Sequence, residues 1–277
     1  MFGLGSNPPT PPPSAQVDGL CACAEQEELP LICFDQVSIS FGERAVLKDV
    51  SFSVNRGETL CILGRSGVGK SVSLRLMLGF LKPDHGSIRI GNDRITELNE
   101  EGLRRVRKHV TMVFQNGALF DSMSVRENIA FPLREQGGRS EEEILAKVDE
   151  LIALVGAEDA ADLLPASLST GRKRAVAIAR ALAAEPDVVL YDEPTTMVDP
   201  LIARRLGDLI EKLKQERGIT SIVVTHDMRF ARRLADKVLF LDQGEALFFG
   251  PLQAFLASDE ANIREFLELD DYTLPMD

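Results

Sequence analysis

The chain has 277 residues, 44% of them hydrophobic, enough to bury one large core or two modest ones. Its 43 acidic residues against 31 basic ones leave a formal charge of −12, which argues against a nucleic-acid partner and against attachment to anionic lipid by charge alone. No run approaches the roughly 18 uninterrupted apolar residues of a membrane span, and the amino terminus is proline-rich where a secretion signal is basic and then apolar. Neither a span nor export is therefore expected.

The proline-rich start sets the first boundary. Residues 8–13 hold five prolines, and residues 14–28 are small, polar and acidic without a helical or strand period, so 1–29 reads as a disordered tail. Cys21, Cys23, Cys33 and Cys61 are too few and too clustered for a disulfide framework. Cys21-Ala22-Cys23 has no second pair to complete a zinc site, so reduced thiols in a cytoplasmic chain are expected.

From Leu31 short apolar runs alternate with amphipathic stretches, the βαβ texture of an α/β domain with a mostly parallel sheet, and the folded unit is taken as 30–270. Leu31–Ser40, Ala45–Val54 and Ser87–Ile90 read as half-buried strands. Thr59–Leu63, Val110–Phe114, Val188–Tyr191 and Ser221–Thr225 read as strands buried on both faces, the expected central sheet. Residues 118–165 carry two helical patterns and no strand, which predicts an inserted helical subdomain. In Glu141–Val155 one helical face gathers Ile144, Leu145, Val148, Leu151, Ile152 and Val155, and Ser140 with Glu143 forms a capping box at its start. Beyond residue 250, Phe255, Leu256, Ile263, Phe266 and Leu267 form an amphipathic pattern, read as a terminal helix pair packed on the domain or on a partner in preference to lipid.

Gly64-Arg65-Ser66-Gly67-Val68-Gly69-Lys70-Ser71 fits G-x-x-x-x-G-K-S/T, directly after an apolar strand and directly before the helical stretch Lys70–Leu78. Glycines let backbone N–H groups converge on phosphate oxygens, and the following helix offers its positive end to the same anion. Lys70 is placed for the terminal phosphates, and Ser71 supplies a hard oxygen for Mg²⁺. The apolar strand at 188–191 ends in Asp192 and Glu193, suited to holding Mg²⁺ and to activating the attacking water; the alternative is a solvated pair capping the strand. The strand at 221–225 delivers His226 to the same sheet edge if the strands are parallel, where a γ-phosphate contact is weighed against a structural histidine.

The order of these motifs resembles the ATP-binding-cassette (ABC) ATPases over about residues 30–250. The resemblance implies a P-loop fold with an antiparallel β subdomain, a mostly parallel core sheet and a helical subdomain at about 118–180, with 251–277 as a helical extension and tail. It implies ATP and Mg²⁺ as cofactors, and a homodimer sandwiching two ATPs between one chain's P-loop and the other's signature. Phe41 matches the aromatic that stacks on adenine, and Gln115 the Q-loop glutamine that joins the Mg²⁺ and water network. Leu168-Ser169-Thr170-Gly171-Arg172 stands where the family carries L-S-G-G-Q, so Ser169, Thr170 and Gly171 would serve the partner's nucleotide. Thr170 and Arg172 depart from the pattern, which bears on turnover. Asp199 matches the D-loop aspartate.

The run from Phe114 to Glu135, with Val125-Arg126-Glu127-Asn128-Ile129-Ala130-Phe131 inside it, is similar to the ATPases of phospholipid transporters of the Mla and Mce-associated type, as is Tyr191-Asp192-Glu193-Pro194-Thr195-Thr196. That implies an ATPase peripheral to the cytoplasmic face of the inner membrane, beneath a separate permease and with an Mce-domain protein in the complex. A soluble cassette ATPase without a channel, a subunit for another small molecule, and a subunit that binds ATP but scarcely hydrolyses it are the alternatives.

Overall fold

The computed structural model describes residues 29–271. The expected tail and the Cys21/Cys23 pair thus lie outside the described residues, apart from Leu29. In chain order, β1 (Ile32–Phe41) and β2 (Arg44–Val54) form a hairpin, and β3 (Thr59–Leu63) leads through the glycine loop into α1 (Lys70–Met77). β4 (His85–Ile90), β5 (Asp93–Arg94), α2 (Glu100–His109) and β6 (Val110–Val113) follow. α3 (Val125–Gln136), α4 (Glu141–Leu154) and α5 (Thr170–Ala183) precede β7 (Val188–Asp192). Then come α6 (Pro200–Arg217), β8 (Thr220–Val224), α7 (Met228–Leu234), β9 (Lys237–Asp242), β10 (Glu245–Pro251), α8 (Leu252–Leu256) and α9 (Ala261–Asp271).

β2, β1, β4 and β5 make an antiparallel sheet in that order, and a second sheet runs β10-β9-β3-β8-β7-β6. In the second sheet β6, β7, β8, β3 and β9 are parallel, and only β10 runs against its neighbour. The four strands expected at the centre are contiguous, but β9 and β10 extend the sheet beyond β3. That corrects the four-strand expectation and leaves the strand before the glycine loop in the interior of the sheet. β3 and β8 are buried at every residue because both faces of the sheet are covered, which is why their sequences read as unbroken apolar runs.

One face packs against the antiparallel sheet and α1, with Phe34 and Phe52 stacked at 4.4 Å between ring centroids, an aromatic contact contributing about 1 kcal/mol beyond its burial. The other face is covered by α3 to α7 and by the terminal helices. Phe255 and Phe266 both meet Phe240 of β9, at 5.6 and 5.1 Å, so the apolar face of the terminal pattern is buried in the domain. No strand interrupts residues 118–165, and the capping box at Ser140 is present, with a second at Ser124 and Glu127. Cys61 is a free, buried thiol. Among the described residues no helix is long and apolar enough to cross a membrane.

Candidate functional site

Because β6, β7, β8, β3 and β9 are parallel, their carboxyl ends open on one edge, and four of them lead to candidate residues there. β3 delivers the glycine loop, β6 Gln115, β7 Asp192 and Glu193, and β8 His226. A cleft of about 700 Å³ at this edge is lined by Phe41, Arg65, Ser66, Gly67, Gly69, Lys70, Ser71, Gln115, Glu193 and His226. Sequence separations beyond 100 residues are thus closed by strand order alone.

The loop's shape is forced by its neighbours. Gly64 has φ +143°, and a Cβ there would lie 2.2 Å from the carbonyl oxygen of Leu241 on β9. Gly69 has φ +107°, and its Cβ would lie 2.6 Å from Leu47 of β2. Only glycine satisfies both constraints. Val68, expected among the nucleotide-binding residues, packs its side chain partly into the core beside the antiparallel sheet, leaving its backbone for the loop. The Arg65 side chain reaches the terminal helix instead, pairing with Glu265 at 2.6 Å.

Lys70 is buried, with Nζ donating to the carbonyls of Gly64 at 2.7 Å and Arg65 at 3.0 Å and lying 3.7 Å from Glu193 Oε1. Desolvation pushes its pKa down, and Glu193 opposes the shift. A buried ammonium so placed gains from an incoming anion. Ser71 donates to Asp192 Oδ1 at 2.7 Å. Burial raises the Asp192 pKa, with the Ser71 hydroxyl pulling the other way. A hydroxyl and a carboxylate meeting at the mouth of the glycine loop form an all-oxygen donor set that fits Mg²⁺. Glu193 accepts from Thr196 Oγ1 at 3.2 Å and meets His226 Nδ1 at 2.8 Å through the same oxygen. Its carboxylate therefore sits between Lys70 and His226.

The remaining candidates lie elsewhere. Ser169 caps α5, accepting from the Arg172 amide at 3.4 Å, and with Gly171 it lines a separate cleft of about 410 Å³ together with Arg172 and Ile202. Thr170 opens the same helix. Arg172, the departure from the signature pattern, pairs with Asp159 at 2.9 Å. Asp199 caps α6 by accepting from the Leu201 amide at 2.8 Å. Sequence reasoning missed Arg44 at the cleft wall, Thr196 on Glu193, and Arg180, which donates to the Ala118 carbonyl at 2.8 Å and secures the segment after Gln115. A polar residue on a helix reads as solvent-facing unless its tertiary partner is known, so no sequence signal marked Arg180.

A glycine loop between a core strand and a helix, facing a strand that ends in two carboxylates, defines a P-loop nucleotide hydrolase. The family model described as ABC transporter matches residues 47–196. The chain is 42% identical to a methionine import ATP-binding protein, MetN, of Brucella abortus over 236 residues, 85% of this chain but 64% of that protein, so it spans just under two thirds of that relative. It is 37% identical to MlaF, the ATP-binding protein of the intermembrane phospholipid transport system of Escherichia coli, over 88% of this chain and 91% of that protein. A dimeric post-hydrolysis structure of the ATP-binding cassette MJ0796 bound to ADP and Pi superposes with a TM-score of 0.74 at 32% identity, covering 80% of this chain and 98% of that one. The chain belongs to the ABC transporter family: it is an ATPase cassette that takes ATP with Mg²⁺.

Proposed function

We propose that two copies of this chain close on two ATP molecules and energise phospholipid movement through a separate permease, in a transporter of the Mla or Mce-associated type with an Mce-domain protein in the complex. In this reading Phe41 stacks on adenine, and residues Gly64 to Ser71 cradle the phosphates. Lys70 binds the terminal phosphate, with Ser71, Asp192 and Gln115 as the residues for Mg²⁺, which when bound neutralises developing phosphate charge. Glu193 takes the proton of the attacking water, and His226, 2.8 Å away, holds that carboxylate in place and reaches the γ-phosphate.

The observation that carries the reading is the division of the site. Lys70, Gln115, Glu193 and His226 line one cleft, while Ser169 and Gly171 line another. Each copy then offers a P-loop half and a signature half, with Asp199 between them. The acidic chain fits a peripheral subunit held at the cytoplasmic face by a protein partner; in this reading a short permease helix docks between the strand leading to Gln115 and residues 118–165. For the lipid assignment, support comes from the run Phe114 to Glu135 and from an alignment covering 91% of the E. coli phospholipid-system relative.

Glu193→Gln tests the hydrolytic reading. It should lower kcat about 10²- to 10⁴-fold while keeping MgATP in a trapped dimer, because binding and water activation use different groups. A variant turning over at the wild-type rate removes Glu193 as the base. Methionine import is the second reading, favoured by the 42% identity to MetN. ATPase activity of the chain purified with its permease separates the two: coupling to lipid transfer between vesicles supports the first, and stimulation by methionine without lipid transfer supports the second.

A further inference from the structure

Arg174 lies on α5, little more than one turn beyond Ser169, and is 5% exposed. A guanidinium taken out of water needs hydrogen-bond partners to offset its lost hydration. Here Nη1 donates to the carbonyl of Glu193 at 2.8 Å and Nη2 to the carbonyl of Thr196 at 2.5 Å, while Nε has no partner. Those two carbonyls belong to one turn, in which the Thr196 amide donates to the Glu193 carbonyl at 3.3 Å and the Thr196 hydroxyl donates to the Glu193 carboxylate.

Glu193 has φ +48°, a left-handed conformation that a residue bearing Cβ holds only under constraint. The constraint comes from both sides of the residue. Its amide donates to the Val224 carbonyl of β8 at 2.9 Å, and its carbonyl is held by Arg174. The direction of the carboxylate toward His226 and Lys70 is therefore fixed by β8 on one side and by α5 on the other.

We propose that Arg174 is a positioning residue that ties α5 to the Glu193–Thr196 turn, so that displacement of the Ser169 end of the helix is transmitted to the carboxylate. The proposal rests on Glu193 being the base, as above. It gives one chain a direct link between the helix that would meet the partner's nucleotide and the group acting on its own. The guanidinium is suited to this because its planar fork reaches two carbonyls at once, which one ammonium does not reproduce.

The test uses the full chain with Arg174→Met, Arg174→Lys and Glu193→Gln. Arg174→Met should bind a fluorescent ATP analogue with Mg²⁺ within about threefold of wild type, lower kcat roughly 30- to 100-fold with KM little changed, and accumulate an ATP-bound dimer on size exclusion. Arg174→Lys should recover part of kcat. In the Glu193→Gln background, Arg174→Met should slow turnover no further, since both act on one step. The proposal is overturned if Arg174→Met turns over within about twofold of wild type while Glu193→Gln is inactive. Nucleotide binding and dimer lost together with a lowered melting temperature overturn it as well, because that pattern marks a role in folding. Should Arg174→Met fail to fold, the kcat against KM split of Arg174→Lys decides alone. Full activity of Glu193→Gln would instead remove the base assignment, whatever Arg174 does.

Discussion

Replacing Gly64 by alanine separates the structural from the ligand-binding demands on the glycine loop. At φ +143° an L-residue carries backbone strain of about 1–3 kcal/mol. The added Cβ also lies 2.2 Å from the Leu241 carbonyl oxygen, a backbone atom of β9 that cannot rotate away, and overpacking of this kind adds about 1–3 kcal/mol. The sum is about 2–6 kcal/mol, or roughly 5–20 °C in melting temperature for a domain of this size. Gly67 is the control: its φ is +79° and its nearest neighbour to a new Cβ is the Arg44 guanidinium at 4.0 Å, so Gly67→Ala carries only the conformational cost, about 1–2 kcal/mol. Urea and thermal unfolding without nucleotide should show Gly64→Ala losing more than Gly67→Ala, about 4 against about 1.5 kcal/mol at the middle of the two ranges. ATP titration of Gly67→Ala should show its loss mainly in affinity, since Gly67 lines the cleft. Equal stability losses, or a Gly64→Ala loss below about 1 kcal/mol, would refute the claim that β9 dictates the first glycine.

Three further outcomes follow from the same geometry. Burial raises the Asp192 pKa above its ordinary value, so the folded protein binds more protons than the unfolded one just above the usual carboxylate range, and nucleotide-free stability falls as pH rises through that window. Asp192→Asn should flatten that dependence and leave the neutral-pH melting temperature unchanged or higher, while shrinking the stabilisation by MgATP; a lower melting temperature without nucleotide counts against it. Phe41 is 49% exposed at the cleft mouth, so Phe41→Ala should leave stability within about 0.5 kcal/mol and weaken ATP by about 1–3 kcal/mol, read by calorimetry. Asn128 is fully buried and holds the Phe120 amide at 2.8 Å and the carbonyls of Phe120, Met123 and Ser124 at 3.0–3.1 Å. Asn128→Ala should cost about 2–4 kcal/mol and speed proteolysis between residues 115 and 124.

Asn128 shows where the sequence was legible without being understood. The run around it carried the resemblance to lipid-transport ATPases, yet its reason is structural: one amide pins the segment after Gln115 to the start of α3. Conversely, β9 (Lys237–Asp242) contains a run of four buried apolar residues, a pattern that marks a buried strand, yet the expected central sheet did not include it. The consequence reached the glycine loop, because the contact that makes Gly64 obligatory comes from Leu241. Arg174 and Thr196 were invisible for another reason, since a single polar residue on a helix or turn has the same local signature whether it faces water or a carbonyl.

What the chain's order of residues determined by itself is local: the glycine spacing after an apolar run, the paired carboxylates closing another, the capping box at Ser140 and the both-face-buried strands. Each is set by backbone sterics or by periodicity within about ten residues, so it can be read without neighbours. The tertiary structure alone decided that Ser71 meets Asp192 across 121 positions, that Glu193 is held between β8 and α5, and that Ser169 faces a cleft apart from Lys70. Those relations depend on strand order in the sheet, which long-range burial selects and no local pattern encodes.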